Sequence, residues 1–216
     1  MKTILLTGFE PFGGEPLNPS WEAVRQLDGQ RRGDHLIRAV QLSCAFGQAL
    51  TELKTELARH QPVLVLAVGQ AGGRSELSLE RVAINLDDAR ISDNAGAQPI
   101  DSSIVAEGPA AYFTTLPIKA MVAALREAGL PAAVSHSAGT YVCNHLFYGL
   151  MHEIVQGELR CRGGFLHIPY LPEQAARQPA GTPSMGLPQI VQGVGIALDA
   201  ALHHERDLVI SGGTTH

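Results

Sequence analysis

Three residues carry side chains suited to covalent catalysis: Cys143, His167 and Glu80. Cys143 stands in SHSAGTYVCNH, residues 135–145, where small turn-forming residues close an apolar run and a helical pattern begins. A thiol in the first turn of a helix meets the positive end of the macrodipole, roughly half a charge, which favours the thiolate. Its own backbone N–H is one of the unpaired donors of that turn and can face a developing oxyanion. On spacing alone the residue is either a nucleophile or a small buried hydrophobe, the common fate of free cysteine. His167 ends the apolar run GFLH, just before Ile168 and Pro169. A histidine there projects onto the rim of a sheet, where a ring nitrogen can serve as a base. Glu80, between Leu79 and Arg81, lies in a mainly apolar run and either faces solvent or orients an imidazole. The three would supply nucleophile, base and orienter in the chain order Glu, Cys, His, and such sets are defined by geometry rather than by order.

The elements that must position them follow from hydropathy patterning. Apolar runs at residues 3–7, 35–42, 63–68, 132–136 and 164–168 read as strands. The run VLVLAV at 63–68 is apolar throughout, as suits a central strand covered on both faces. Residues 77–86 alternate more and read as an edge strand. Helical patterns span 46–60, 117–128, 142–155 and about 188–203, and Asn18-Pro19 reads as the N-cap and first residue of a short helix through Leu27. Strands separated by helices imply βαβ units. The expected fold is α/β, a three-layer α/β/α sandwich around a largely parallel twisted sheet, as one domain over residues 1–216. Ligands in such sheets gather beyond the carboxyl ends of the strands. The Gly-rich segments 8–14, 69–73 and 137–142 all follow strands and so can share that rim. Residues 174–188, rich in Pro and Gly, read as a surface loop or as a flap over a site.

Composition excludes several other functions. The 216 residues are 45% hydrophobic and 17% charged, enough for a sizeable core and too little charge for extensive disorder. A net charge of −5 gives no basic footprint for nucleic acid. No apolar run approaches the roughly 18 residues of a membrane helix, and the start lacks a signal-peptide pattern. Three cysteines (Cys44, Cys143, Cys161) argue against a disulfide scaffold and for a reducing, cytoplasmic setting. GFEPFGGE at 8–15 has the outer spacing of a phosphate-binding loop, but Gly14 and Glu15 stand where Lys and Ser/Thr are required. Ala71 breaks the dinucleotide pattern in GQAGG. His145 and His152, and the run His203-His204-Glu205, lack HExxH spacing, so no metal is expected.

TGFEPFGG at 7–14, NPSW at 18–21, VGQAGGR at 68–74, LERVAINLDDARISDNAG at 79–96, SHSAGTYVCNHLFYGLMH at 135–152 and GFLHIPYLPEQ at 164–174 together point further. In this order they resemble the pyroglutamyl peptidase I family, cysteine peptidases also called pyrrolidone-carboxylate peptidases, essentially from end to end. The resemblance implies Cys143 as nucleophile, His167 as base and Glu80 as third member. It also implies an α/β/α sandwich without cofactor, a homotetramer, and removal of N-terminal pyroglutamate from peptides through a thioester. Pyroglutamate is a compact neutral lactam without an α-ammonium, so its pocket needs apolar walls and a few amide-reading groups. Phe9 and Phe12 can supply aromatic walls or anchor their own loop, and Gln70 can offer donor and acceptor to the cis-amide. Arg90 resembles a family arginine near the catalytic centre and either assists the oxyanion or pairs with Asp87, Asp88 or Asp93. The expected partners are pyroglutamyl peptides, with neither nucleic acid nor membrane.

Overall fold

Strands β1 (Lys2–Phe9), β2 (Arg31–Arg32), β3 (His35–Leu42), β4 (Leu64–Gln70), β5 (Leu77–Glu80), β6 (Val82–Ile84), β7 (Ala111–Phe113), β8 (Ala132–Ser135) and β9 (Arg162–Ile168) alternate with helices. The helices are α1 (Pro19–Val24), α2 (Gln48–His60), α3 (Ile118–Glu127), α4 (Val142–Gln156), α5 (Pro172–Ala175) and α6 (Leu187–His203). The computed structural model describes residues 1–157 and 160–213. Seven strands form one sheet in the order β2-β3-β1-β4-β9-β5-β8, and β6 pairs with β7 in a separate antiparallel ribbon.

The period of two along each strand sorts residues between two helical layers. Ile4, Leu6, Leu64, Leu66, Val68, Leu166 and Ile168 pack with Val24 of α1, Met121 of α3 and Val194 of α6. Leu5, Phe9, Val65, Ala67 and Phe165 pack on the other side with Leu53 of α2 and Leu146 and Phe147 of α4. This is the expected three-layer sandwich. Asn18 caps α1 as its sequence requires, its Oδ1 accepting the Ser20 N–H at 3.0 Å with Pro19 in the first helical position. Among the described residues no helix is long and apolar enough to cross a membrane.

One feature differs from the sequence expectation, and a second refines it, since the sheet is largely parallel as expected. Residues 77–86 are not one edge strand: β5 is interior and wholly buried, the chain breaks at Arg81, and Val82–Ile84 joins the ribbon. Leu77 and Leu79 of β5 face the α3/α6 layer, so the intervening Ser78 and Glu80 face the α4 layer rather than water. The sheet is also mixed, because β9 pairs parallel with β4 but antiparallel with β5, which is parallel to β8. Ser135 therefore ends opposite Glu80, which lies opposite Phe165 midway along β9. Residues 136–141 must carry the chain back over the sheet before α4 begins. Residues 174–188 begin within α5, with Gln174 fully buried, and are tied near their far end by the Met185 N–H to Tyr170 O at 2.9 Å.

Candidate active site

Strand register builds the site. Gly69 of β4 is the parallel partner of His167, which in turn lies opposite Ser78 of β5, while Glu80 lies opposite Phe165. Glu80 is thus the diagonal neighbour of His167 on the α4 face of the sheet, within reach of a long side chain. Its Oε1 accepts from His167 Nδ1 at 2.7 Å, and both side chains are buried. Arg74, in the turn after β4, donates Nη1 to the same oxygen at 2.6 Å. Burial works against the ionised Glu80, but the hydrogen bond and charge of His167, with Arg74 behind them, hold its carboxyl below the usual range. A carboxylate accepting at Nδ1 fixes the proton there and leaves Nε2 as the free base.

Cys143 is the second residue of α4, whose N-cap Tyr141 supplies no side-chain cap, so the first-turn N–H groups stay unpaired within the helix. Its sulfur occupies the space a side chain at position 69 would need: a Cβ on Gly69 would lie 2.8 Å from Cys143 Sγ and 2.7 Å from Phe165 Cζ. Because Gly69 and His167 are register partners, the thiol stands beside the imidazole. Burial, Cys44 and the Glu80 charge push the Cys143 thiol up, with Arg74 opposing. Burial likewise pushes His167 down, against Glu80. Both shifts favour a neutral thiol and a neutral imidazole. The helix dipole favours the thiolate, and desolvation under the sheet face opposes it.

A cavity of about 440 Å³ opens over these groups. It brings together Cys143 and His167 with all four binding candidates, Phe9, Phe12, Gln70 and Arg90. Phe9 is buried and packs against Phe165 at 6.5 Å between ring centres, whereas Phe12 packs against Tyr141 at 6.3 Å. Arg90 is exposed at the mouth. Of its expected carboxylate partners, Asp87 bonds His145 and Asp93 accepts from the N–H groups of Phe46, Ala95 and Ala97. Among the described residues no carboxylate pairs with Arg90. Gln70 lies in register with Ile168, one residue out of phase with Gly69, and its Oε1 already accepts from Gln174 Nε2 at 3.0 Å. Its amide N–H₂ and the second lone pair of Oε1 remain to offer a ligand.

Tyr141, Cys44 and Arg74 also line the cavity and were not among the sequence candidates. Tyr141 had a signal in its place just before the helix that carries Cys143, and Arg74 in closing a Gly-rich loop after a strand. Burial pushes the Cys44 thiol to about 12, as for an inert core residue. The loop that imitates a phosphate site uses Glu10 otherwise: its Oε1 accepts from the Cys44 N–H and from Asn94 Nδ2 at 3.0 and 2.8 Å. His145 spends both ring nitrogens, on Asp87 at 2.8 Å and on the Gly47 N–H at 2.9 Å.

The notch at Gly69 gives one sharp expectation. Gly69→Ala should displace Cys143 or Phe165, costing about 1–3 kcal/mol of stability as overpacking does and lowering kcat far more than it changes KM. Steady-state kinetics paired with thermal unfolding checks it; wild-type kcat in the folded variant would mean that the thiol's seat is not where the register puts it.

A thiol, an imidazole and a carboxylate gather on one sheet face of an α/β/α sandwich, beside a small cavity with aromatic residues in its lining. The family model described as pyroglutamyl peptidase matches residues 2–204. The chain belongs to that family, and it is an enzyme of that kind. A pyrrolidone-carboxylate peptidase of Cupriavidus taiwanensis is 62% identical over 217 residues, covering all of both chains. The crystal structure of pyroglutamyl peptidase I from Bacillus amyloliquefaciens is 51% identical, with a TM-score of 0.93 over 96% of this chain and 100% of that one. Pyrrolidone carboxyl peptidase from Thermococcus litoralis is 36% identical, with a TM-score of 0.94 over 98% and 100%.

Proposed function

We propose that the protein hydrolyses the bond between an N-terminal pyroglutamyl residue and the rest of a peptide, with Cys143 as nucleophile, His167 as general base and acid, and Glu80 as orienter. The observation that carries this reading is the 2.7 Å bond from His167 Nδ1 to the buried Glu80, on the sheet face where Cys143 fills the notch of Gly69. His167 Nε2 takes the thiol proton as Sγ bonds to the pyroglutamyl carbonyl carbon. The oxyanion meets the Cys143 N–H in the uncapped first turn of α4, with the Arg90 cation at the mouth. His167 then gives the proton to the leaving amine as the C–N bond breaks, which leaves a thioester. Water adds to the thioester with His167 again as base, and pyroglutamate leaves as Sγ recovers its proton. A cytoplasmic homotetramer belongs to the same proposal, and sedimentation of the purified protein tests the assembly.

Hydrolysis of a pyroglutamyl chromogenic amide, with and without thiol alkylation, tests the reaction. Activity should fall in step with alkylation of Cys143, the half-buried thiol that has His167 to take its proton, since Cys44 and Cys161 are buried. Peptide mapping after partial labelling decides this, and loss that follows Cys44 or Cys161 would remove Cys143 from the mechanism.

The pH profile follows from the same neutral pair. His167 must be unprotonated to act, and its pKa lies below the ordinary 6.5. The acid limb of kcat/KM should therefore lie below pH 6.5, activity being lost only as pH falls through it. Because the Cys143 thiol is raised above its ordinary 9.0, no rise from thiolate formation is expected between pH 7 and 9. An acid limb above 6.5, read from kcat/KM against pH, would contradict the neutral ground state.

A further inference from the structure

Arg74 has no part in the steps above, yet it touches both halves of the site. Its side chain is 30% exposed and its guanidinium divides between two partners. Nη1 donates to Glu80 Oε1 at 2.6 Å, and Nη2 donates to the backbone carbonyl of Ser137 at 3.0 Å. Glu80 is fully buried, and its Oε1 accepts from Arg74 and His167 while Oε2 has no hydrogen-bond partner. The carboxylate is thus held through one oxygen by two donors, of which Arg74 is one. Ser137 belongs to the segment that brings the chain back from β8 to Cys143. That segment is anchored at its far end by Thr140, whose Oγ1 donates to Asp88 O at 2.7 Å. Arg74 anchors its near end.

Resting on the triad reading, we propose that Arg74 is the positioning residue that couples the triad's two halves: one arm fixes the carboxylate that orients His167, and the other fixes the loop that delivers Cys143. A planar guanidinium can span two acceptors in fixed geometry, which a lysine ammonium on a flexible stem does not reproduce. The groups facing Glu80 are His167 from β9, the Ser135 hydroxyl opposite it on β8, the Cys143 thiol from α4 and Arg74. Arg74 is the permanent cation among them. Without it, Glu80 protonates at higher pH, and His167 loses the positive charge that helps hold its pKa down. Both changes move the acid limb upward.

The test compares pH–rate profiles of the wild type, Arg74→Met, Arg74→Lys and His167→Ala on a pyroglutamyl amide, each with a circular-dichroism unfolding curve. Arg74→Met should lose roughly tenfold or more in kcat, the order expected for a lost charged hydrogen bond, with KM little changed. Its acid limb should move to higher pH, and added guanidinium ion should restore part of the rate. Arg74→Lys should keep the wild-type acid limb but not the full kcat. A folded Arg74→Met with wild-type kcat, or with reduced kcat on an unmoved limb, overturns the proposal. If Arg74→Met does not fold, Arg74→Lys decides: reduced kcat on an unmoved limb supports it, and wild-type kcat overturns it. A folded His167→Ala that keeps its turnover overturns the triad itself, an outcome separate from failure of Arg74 alone.

Discussion

His167→Ala is expected to lower kcat for pyroglutamyl amide hydrolysis by roughly 10²–10⁴, the usual worth of a positioned general base. The loss should be large here because burial, Cys44 and Glu80 push the thiol up, so that attack draws on transfer of its proton to Nε2. Glu80→Gln should cost less than His167→Ala. The amide keeps the shape and offers an oxygen to Nδ1, but it removes the charge that stabilises the imidazolium formed during attack. Glu80 also lies in the interior strand β5 among fully buried neighbours. Each variant therefore needs an unfolding curve beside its kinetics, and a folded His167→Ala with near-wild-type turnover would end the triad reading.

What the sequence revealed and what it hid have the same physical origin. Strands β1, β4 and β9 are covered on both faces, so their apolar runs could be recognised without knowing their neighbours. Asn18-Pro19 was legible because capping is local chemistry. Strand β5 was not, since its alternation of Leu with Ser and Glu is the pattern of a strand with one wet face. Its polar face meets the catalytic layer instead, and only the register against β9 shows this. The reversed direction of β5 and β8 was invisible, because hydropathy carries no direction. The β6–β7 ribbon uses three-residue strands, too short for any period to register. At the site, residue type and place picked out Cys143, His167 and Glu80 as candidates, and the register brings Glu80 to His167 and Cys143 to Gly69. The opposition between dipole and desolvation at the thiol was not legible, because the helix dipole is local whereas desolvation comes from the sheet packed above it. Arg74 reads along the chain as one more solvated charge, and Gln174 as one loop residue 104 positions from the Gln70 it holds.

Substrate choice should turn on the lactam rather than on ring size. A prolyl amide presents a similar ring but carries a charged secondary ammonium and lacks the ring carbonyl. Placing it among Phe9, Phe12 and Tyr141 strips water from that charge and supplies no carboxylate in return, since the carboxylate nearest the chemistry, Glu80, is buried and engaged by His167 and Arg74. It also leaves unpaired whichever group reads the ring carbonyl, and sites of that kind reject the deficient analogue by roughly 10⁴–10⁵. Prolyl amides should therefore be cleaved at a negligible rate. N-terminal glutaminyl amides, which bear an α-ammonium, should fail for the same electrostatic reason. Held by Gln174 at its Oε1, Gln70 can turn its amide N–H₂, a donor suited to the lactam oxygen, to the cavity. Gln70→Ala should then lower kcat/KM for the pyroglutamyl amide and narrow its advantage over the prolyl analogue, because the prolyl ring has no oxygen to lose a partner. Competition kinetics on the two amides measures that ratio directly. An unchanged ratio in Gln70→Ala would return Gln70 to a purely structural tie with Gln174 and assign lactam reading to the backbone of Ala71 and Gly72, which border the same cavity.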